Sequence, residues 1–282
     1  EAPVPIVNIQ KEESRLGGAS NVANNIVSLG GHSLLCGVIG HDLFGKEIER
    51  ISRHKNIDTF LLKTSSPTIT KARIIGGKQQ IVRVDYEDKS ELNADNKKLF
   101  RDTISRILPE YDILVISDYG KGLISEDLCR YLIKLAHKYD KKVIIDPKGK
   151  NWEKYSGADI VTPNVKELSD IVGYTVPNTD RAIEKAAREA ITNNHLTALL
   201  VTRSDKGMSL IGPIPPIHIP THSEEVFDVS GAGDTVVATL GLCLAAGFEI
   251  SEAMRTANIA AGIVVKKIGT ATLTIEELVQ QK

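Results

Sequence analysis

Tryptophan occurs once in this chain, methionine twice and cysteine three times, and the formal charges nearly cancel. Each scarcity excludes something. Cys36, Cys129 and Cys243 are odd in number and far apart. They build neither a disulfide framework nor a zinc site and fit a reducing, cytoplasmic setting. A net charge of −1 leaves no basic field to attract nucleic acid or a membrane surface. The longest uncharged apolar stretch, 235–248, is too short for a bilayer span and contains Gly241 and Gly247. No signal peptide is visible. The first five residues, Glu-Ala-Pro-Val-Pro, carry no initiator Met, so the chain is expected to begin inside a longer protein. Familiar catalytic signatures are missing too. No Gly-x-Gly-x-x-Gly follows the first strand and no Gly-x-Ser-x-Gly occurs, so hydride transfer and triad hydrolysis lose support. His218 and His222 are separated by Pro220, so no helix aligns them as metal ligands. Gly40-His41-Asp42-Leu43-Phe44-Gly45-Lys46 matches a P-loop until its eighth position, where Glu47 replaces the hydroxyl that holds Mg²⁺. A loop after a strand fits that segment better.

What remains is ordinary in bulk and regular in pattern. With 282 residues, 41% apolar and 25% charged, the chain suits one large α/β domain or two small ones. A short strand is expected at 6–9. A helix opens at Gly17-Gly18-Ala19-Ser20-Asn21 and stops at Gly30-Gly31. A buried strand is expected at 34–39, a charged helix at 45–54, and a hairpin from strands 69–75 and 80–85 around Gly76-Gly77-Lys78. From residue 95 helices and apolar strands alternate. Helices are expected at 97–108, 126–138, 165–171 and 181–194, and strands at 113–117, 142–145, 159–162 and 198–202. That rhythm predicts a mostly parallel sheet covered on both faces. Two short strands (208–211, 217–219) and helices at 235–246, 250–265 and 275–281 follow.

In such sheets ligands bind beyond the carboxyl ends of the strands. Four strands end in polar residues: Ser117-Asp118-Tyr119-Gly120-Lys121, Asp146-Pro147-Lys148, Thr162-Pro163-Asn164 and Thr202-Arg203-Ser204. They should line one crevice. Asp228-Val-Ser-Gly-Ala-Gly-Asp234 puts a glycine-rich turn and a carboxylate at the start of an apolar helix. The N–H groups of Gly231, Ala232 and Gly233 make an anion site there. Asp234 then reads either as a stabilising N-terminal acid or as a base beside a phosphate. Asn164 and Glu167 likewise read as a capping box or as groups that hold Mg²⁺ through water. Lys71, Arg73, Arg83, Lys121 and Lys148 are candidate phosphate-binding cations, with Lys121 and Lys148 favoured by their place at strand ends.

Together these residues resemble the ribokinase-like (PfkB) carbohydrate kinases. Asp228–Asp234 with Thr235 looks like the C-terminal signature, and Gly17-Gly18-Ala19-Ser20-Asn21-Val22-Ala23 like the N-terminal one, with Gly40-x-Asp42-x-x-Gly45 behind it. Five stretches resemble the D-glycero-β-D-manno-heptose-7-phosphate kinases in particular, including the kinase half of bifunctional ADP-heptose synthesis proteins. They are Pro67-Thr-Ile-Thr-Lys-Ala-Arg73, Gln79-Gln-Ile-Val-Arg-Val-Asp85, Ser117-Asp-Tyr-Gly-Lys-Gly122, Asp146-Pro-Lys-Gly149 and Leu200-Val-Thr-Arg-Ser204.

The resemblance implies a single ribokinase-like domain over 1–282, a doubly wound sheet with a small β lid from about 3–14 and 67–87. It implies ATP-dependent phosphorylation of a sugar 1-hydroxyl, in lipopolysaccharide precursor synthesis. Asp234 would be the base and Gly231, Ala232 and Gly233 the anion hole. Asn164 and Glu167 would organise Mg²⁺, and with Val165 and Lys166 the nucleotide phosphates. Thr202, Ser204 and Gly207 would lie along the nucleotide, with Asn258 and Gly262 near the adenine. Gly17, Gly18, Asn21 and Asp118 would contact the sugar, and Lys71, Arg83, Lys121 and Lys148 its 7-phosphate or those of ATP. A monovalent cation near Asp228 and Ser230 is a feature of some members. A homodimer through the lid and a fused nucleotidyltransferase are implied partners. The family's first strand, whose Asp binds sugar hydroxyls, would precede Glu1. Two alternatives stay open: a kinase for another sugar or sugar phosphate, and a non-catalytic sugar or nucleotide sensor on the same fold.

Overall fold

The structure is a computed structural model and describes residues 6–76, 79–221 and 226–281. Its centre is the predicted alternation. Strands β5 (Ile113–Ser117), β6 (Lys142–Asp146), β7 (Ile160–Val161) and β8 (Leu199–Thr202) run parallel, and β9 (Met208–Ile211) and β10 (Ile217–Ile219) extend the sheet antiparallel. The sheet order is β10-β9-β8-β7-β6-β5.

Period-two alternation sends side chains into two separate cores. Val143, Ile145, Leu199 and Val201 join the core under α4 (Glu126–Lys138), α5 (Val165–Val172) and α6 (Asp180–Asn194). Ile144 and Leu200 join the core under α7 (Ala232–Ala245) and α8 (Ile250–Val264). Helices therefore cover both faces. Leu200 is fully buried, so truncating it to Ala would cost about 2–5 kcal/mol. Helix α7 is buried almost all round, with Val236, Val237 and Leu240 in the core, and Gly241 lets it lie close to Val115 of β5.

The N-terminal third departs from expectation. Helix α1 (Ala19–Ser28) follows Gly18 as read, but 6–9 forms no strand, and Ile6 and Ile9 are exposed. The residues expected to share the lid with the hairpin are therefore not paired into it; 3–5 lie outside the described residues. β1 (Leu34–Gly40) pairs in parallel with β2 (Asp58–Thr64), a strand whose Asp58 and Lys63 hide it from an apolar scan. Between them, α2 (Leu43–His54) is capped by Asp42, whose carboxylate accepts from Gly45 N and from Thr68 N and Oγ1 at 2.7–2.8 Å. The failed P-loop is this cap.

β3 (Thr70–Gly76) and β4 (Gln79–Tyr86) form the expected hairpin, with Gly77 and Lys78 outside the described residues. The edges of β1 and β5 line the same cavity, of about 2490 Å³, and no strand fills the space between them among the described residues. Helix α3 (Ala94–Ile107) leads into β5, and α9 (Ile275–Val279) closes the described chain.

Candidate active site

Parallel strands bring their carboxyl ends to one rim, and all four polar strand ends meet there. Asp118, Tyr119, Asp146, Pro147, Lys148, Thr162, Asn164 and Thr202 line a cavity of about 200 Å³. An isolated bridge between Asn164 and Thr202 holds two of these ends together. Gly231, Gly233 and Asp234, from the start of α7, close its wall. Asp118, Tyr119, Gly231 and Asp234 also line the larger cavity, so Asp234 stands where the two meet.

Asp234 is only 5% exposed and is held by two donors from distant parts of the chain. Asn21 Nδ2 donates to Oδ2 and Tyr119 Oη donates to Oδ1, each at 2.8 Å. Burial raises the Asp234 carboxyl above its ordinary range, and the two donors oppose that rise. Asn21 is fully buried; Asn25 donates to its backbone and amide oxygens, and Thr235 Oγ1 donates to Asn25. The N-terminal signature thus reaches the C-terminal one through a buried amide. Gly231 has φ 81°, and a Cβ there would lie 2.8 Å from Asn21 Nδ2. Glycine is what lets the amide reach the carboxylate.

The turn before α7 is less open than its sequence suggests. The Ala232 N–H donates to Val229 C=O at 3.2 Å, so it is engaged, whereas those of Gly231 and Gly233 make no backbone hydrogen bond among the described residues. Both Asp228 oxygens accept backbone N–H groups, from Ser230 at 2.9 Å and Gly269 at 2.8 Å.

On the opposite wall Asn164 and Glu167 complete a capping box around α5, and Val165 and Lys166 form its first turn. The second Glu167 oxygen accepts from Lys148 Nζ at 3.1 Å. Both residues line the cavity, so the capping box stands at the site as well as at the helix start. Asp146 lies beside them. Burial, then the Asp234 and Glu167 charges, push its carboxyl up to about 8.

The cations separate into two groups. Lys71, Arg73 and Lys121 line the larger cavity, with Lys121 paired to Glu87. Lys148 lines the smaller one. Arg83 lines neither; it pairs with Asp85 on its own strand at 2.9 Å. Gly17 and Gly18 line the larger cavity. Asp118 borders both cavities, yet its carboxylate is committed to Lys154 Nζ, Tyr155 Oη and Gly120 N. Ser204, Gly207, Asn258 and Gly262 are not among the residues that line the smaller cavity. Gly207 packs so tightly on Ile219 and Pro220 that no Cβ fits, and Asn258 Nδ2 donates to Pro220 C=O at 2.6 Å. Tyr119, like Asp146, is a site residue that reading the sequence missed as an individual. Its place in a strand-end run was the available signal.

A family model described as pfkB family carbohydrate kinase matches residues 2–277. The chain belongs to the pfkB family of carbohydrate kinases. Among curated relatives of this pfkB kinase, the bifunctional protein HldE of Haemophilus influenzae (strain PittEE) is 45% identical over 280 residues, covering 99% of this chain and 58% of that protein. HldE of Helicobacter pylori (strain Shi470) is 41% identical, covering 99% of this chain and 60% of that protein. The chain thus spans about three fifths of the length of these relatives. Two solved structures share the fold. One is phosphofructokinase-2 from Escherichia coli in complex with potassium, at TM-score 0.82, 21% identity and coverage of 99% and 91% of the two chains. The other is Arabidopsis thaliana ribokinase complexed with ribose and ATP, at 0.78, 20%, 98% and 90%. No helix among the described residues is long and apolar enough to cross a membrane.

Proposed function

We propose that this pfkB kinase transfers the γ-phosphoryl group of ATP to the anomeric 1-hydroxyl of D-glycero-β-D-manno-heptose 7-phosphate, giving the 1,7-bisphosphate. The observation that carries the reaction type is the position of Asp234 at the junction of two cavities. A base between an acceptor pocket and a phosphate pocket has one natural use, removal of the proton from an attacking hydroxyl. Lys71, Arg73 and Lys121 suit the larger cavity to the sugar phosphate, and Lys148 with the α5 and α7 N-termini suits the smaller one to the nucleotide. The likeness to HldE and the five heptose-kinase stretches support the sugar.

In this reading Asp234 accepts the hydroxyl proton while the Gly233 N–H meets the transferring phosphoryl oxygens. Asn21 holds the carboxylate in line rather than touching the sugar. Mg²⁺ fits as an ion carried mainly by phosphate and water. Asp146, Asn164 and Glu167 offer oxygens, while no group of three or more His, Cys, Asp or Glu suited to a metal occurs among the described residues. The ion would neutralise charge on the phosphates. Asp228 is fitted to hold the 269 loop, and no monovalent cation enters the proposal.

The β3–β4 hairpin is the proposed lid. Ile75, Ile81, Val82, Val84 and Tyr86 are 40–61% exposed on it, an apolar area suited to the lid of a second copy. The free state of Cys36, Cys129 and Cys243 supports a cytoplasmic setting. A coupled ADP-release assay across heptose 7-phosphate, fructose 6-phosphate and ribose tests the substrate. Preference for the heptose supports the reading. Preference for another sugar replaces the substrate, and turnover of none favours a sensor.

A further inference from the structure

We propose that Tyr119 is a positioning residue that holds the acceptor-hydroxyl place on Asp234 until the sugar arrives, and so suppresses phosphoryl transfer to water. The inference rests on Asp234 being the base. Asp234 has two oxygens and almost no solvent contact. Asn21 takes Oδ2 from the protein interior, and the Tyr119 hydroxyl takes Oδ1 at 2.8 Å from the cavity side. That hydroxyl stands where an attacking O–H must stand to give up its proton, because a base works only within hydrogen-bond reach.

The surroundings are built for a side chain that rests there and can leave. The Tyr119 ring lies over Gly18, where a Cβ would come within 3.2 Å of Cε2, and Gly18 itself has φ 57°. Tyr119 as a residue is 37% exposed, so it borders open space outside the site. Its neighbour Asp118 is 3% exposed, its carboxylate is held by Lys154 and Tyr155 and its N–H donates to Asp146 C=O, so the strand end is anchored and χ rotation of Tyr119 is the freer motion. Burial and the adjacent Asp234 raise the phenol, which stays protonated and acts as donor.

With Tyr119 absent, a water molecule takes its place. Its proton passes to Asp234 Oδ1, its oxygen forms a bond to the γ-phosphorus, and the bond from that phosphorus to the ADP oxygen breaks, releasing phosphate. With sugar present the same electron flow uses the 1-hydroxyl instead.

Tyr119→Phe keeps the ring on Gly18 and removes only the hydroxyl. The expected result is a rise of at least roughly tenfold in sugar-independent ADP release from MgATP, the lower end for one hydrogen bond to a charged group, with a lower KM for the sugar. In Tyr119→Phe/Asp234→Asn that hydrolysis should fall back to the level of Asp234→Asn. A merely structural tyrosine would lower turnover and leave hydrolysis flat. Unchanged hydrolysis in Tyr119→Phe, or a rise that survives in the double variant, overturns the proposal. Sugar turnover at the parent rate in Asp234→Asn overturns the base reading instead.

Discussion

Asn21→Leu isolates what the buried amide does for Asp234. Leucine nearly preserves the volume but leaves Oδ2 facing a methyl group in a site that is 5% exposed. A hydrogen bond to a charged acceptor contributes about 1.5–3 kcal/mol. Losing it penalises only the ionised form of Asp234, so the whole amount appears as a pKa change. At 1.36 kcal/mol per unit, the carboxyl should rise by about 1–2 units. The direction adds to the rise that burial already causes. The assay is the pH dependence of kcat/KM for ADP release, whose acidic limb reports the base in the free enzyme. That limb should move to higher pH by about 1–2 units in the variant. Circular dichroism and thermal melting check that the fold survives. An unmoved acidic limb, with the fold intact, would refute both the role of Asn21 and the assignment of Asp234 as the group that limits the rate at low pH.

Three further outcomes are expected. Asp234→Asn should retain ATP binding by titration calorimetry and lose at least about a hundredfold in kcat, the lower range for a positioned base; near-parent kcat would remove Asp234 from that role. Asp146→Asn should stabilise the protein at high pH. The folded Asp146 carboxyl is raised to about 8 from the ordinary carboxylate range, so the stability it contributes is complete below about pH 4 and lost as pH rises to about 8. The variant should therefore gain at least about 1 kcal/mol, or about 2–4 °C in Tm, at pH 9 and nothing at pH 3.5; equal Tm differences at both pH values would contradict the linkage. Val82→Lys, on the exposed face of the β3–β4 hairpin, should shift the proposed dimer to monomer in sedimentation, and a monomeric parent would end the lid-pairing proposal.

The alternating half of the fold was legible because its signals are local. Val143, Ile144 and Ile145 are apolar in a row, and that pattern alone implies a strand buried on both faces. The ends of those strands could then be placed on one rim without knowing any contact. Residues 6–9 carried a short alternating pattern and formed no strand, because a strand also needs a partner edge, which no short pattern supplies. Arg203 shows the same limit in the site. It sits at a strand end like Lys148, yet it is 3% exposed and bound to Asn178 and Asp180. Its partners lie more than twenty residues earlier, at the start of α6, where no spacing rule points.

Asn21 and Asp234 carry that point further. They are 213 residues apart, and each signature read by itself is a glycine-marked helix start. The glycines suggested backbone close to a ligand. In the structure two of them make room for other side chains: Gly231 for the Asn21 amide and Gly18 for the Tyr119 ring. Both of those side chains end on the same carboxylate. Substituting either glycine should therefore act on Asp234 from a distance, because the added Cβ displaces a donor rather than a ligand. Gly231→Ala also places alanine at φ 81°, a conformation that costs about 1–2 kcal/mol for a residue with a Cβ. On the proposed reading of Asp234 as the base, the two motifs form one device for setting it, and the turn that looked like an anion site is equally a seat for the Asn21 amide.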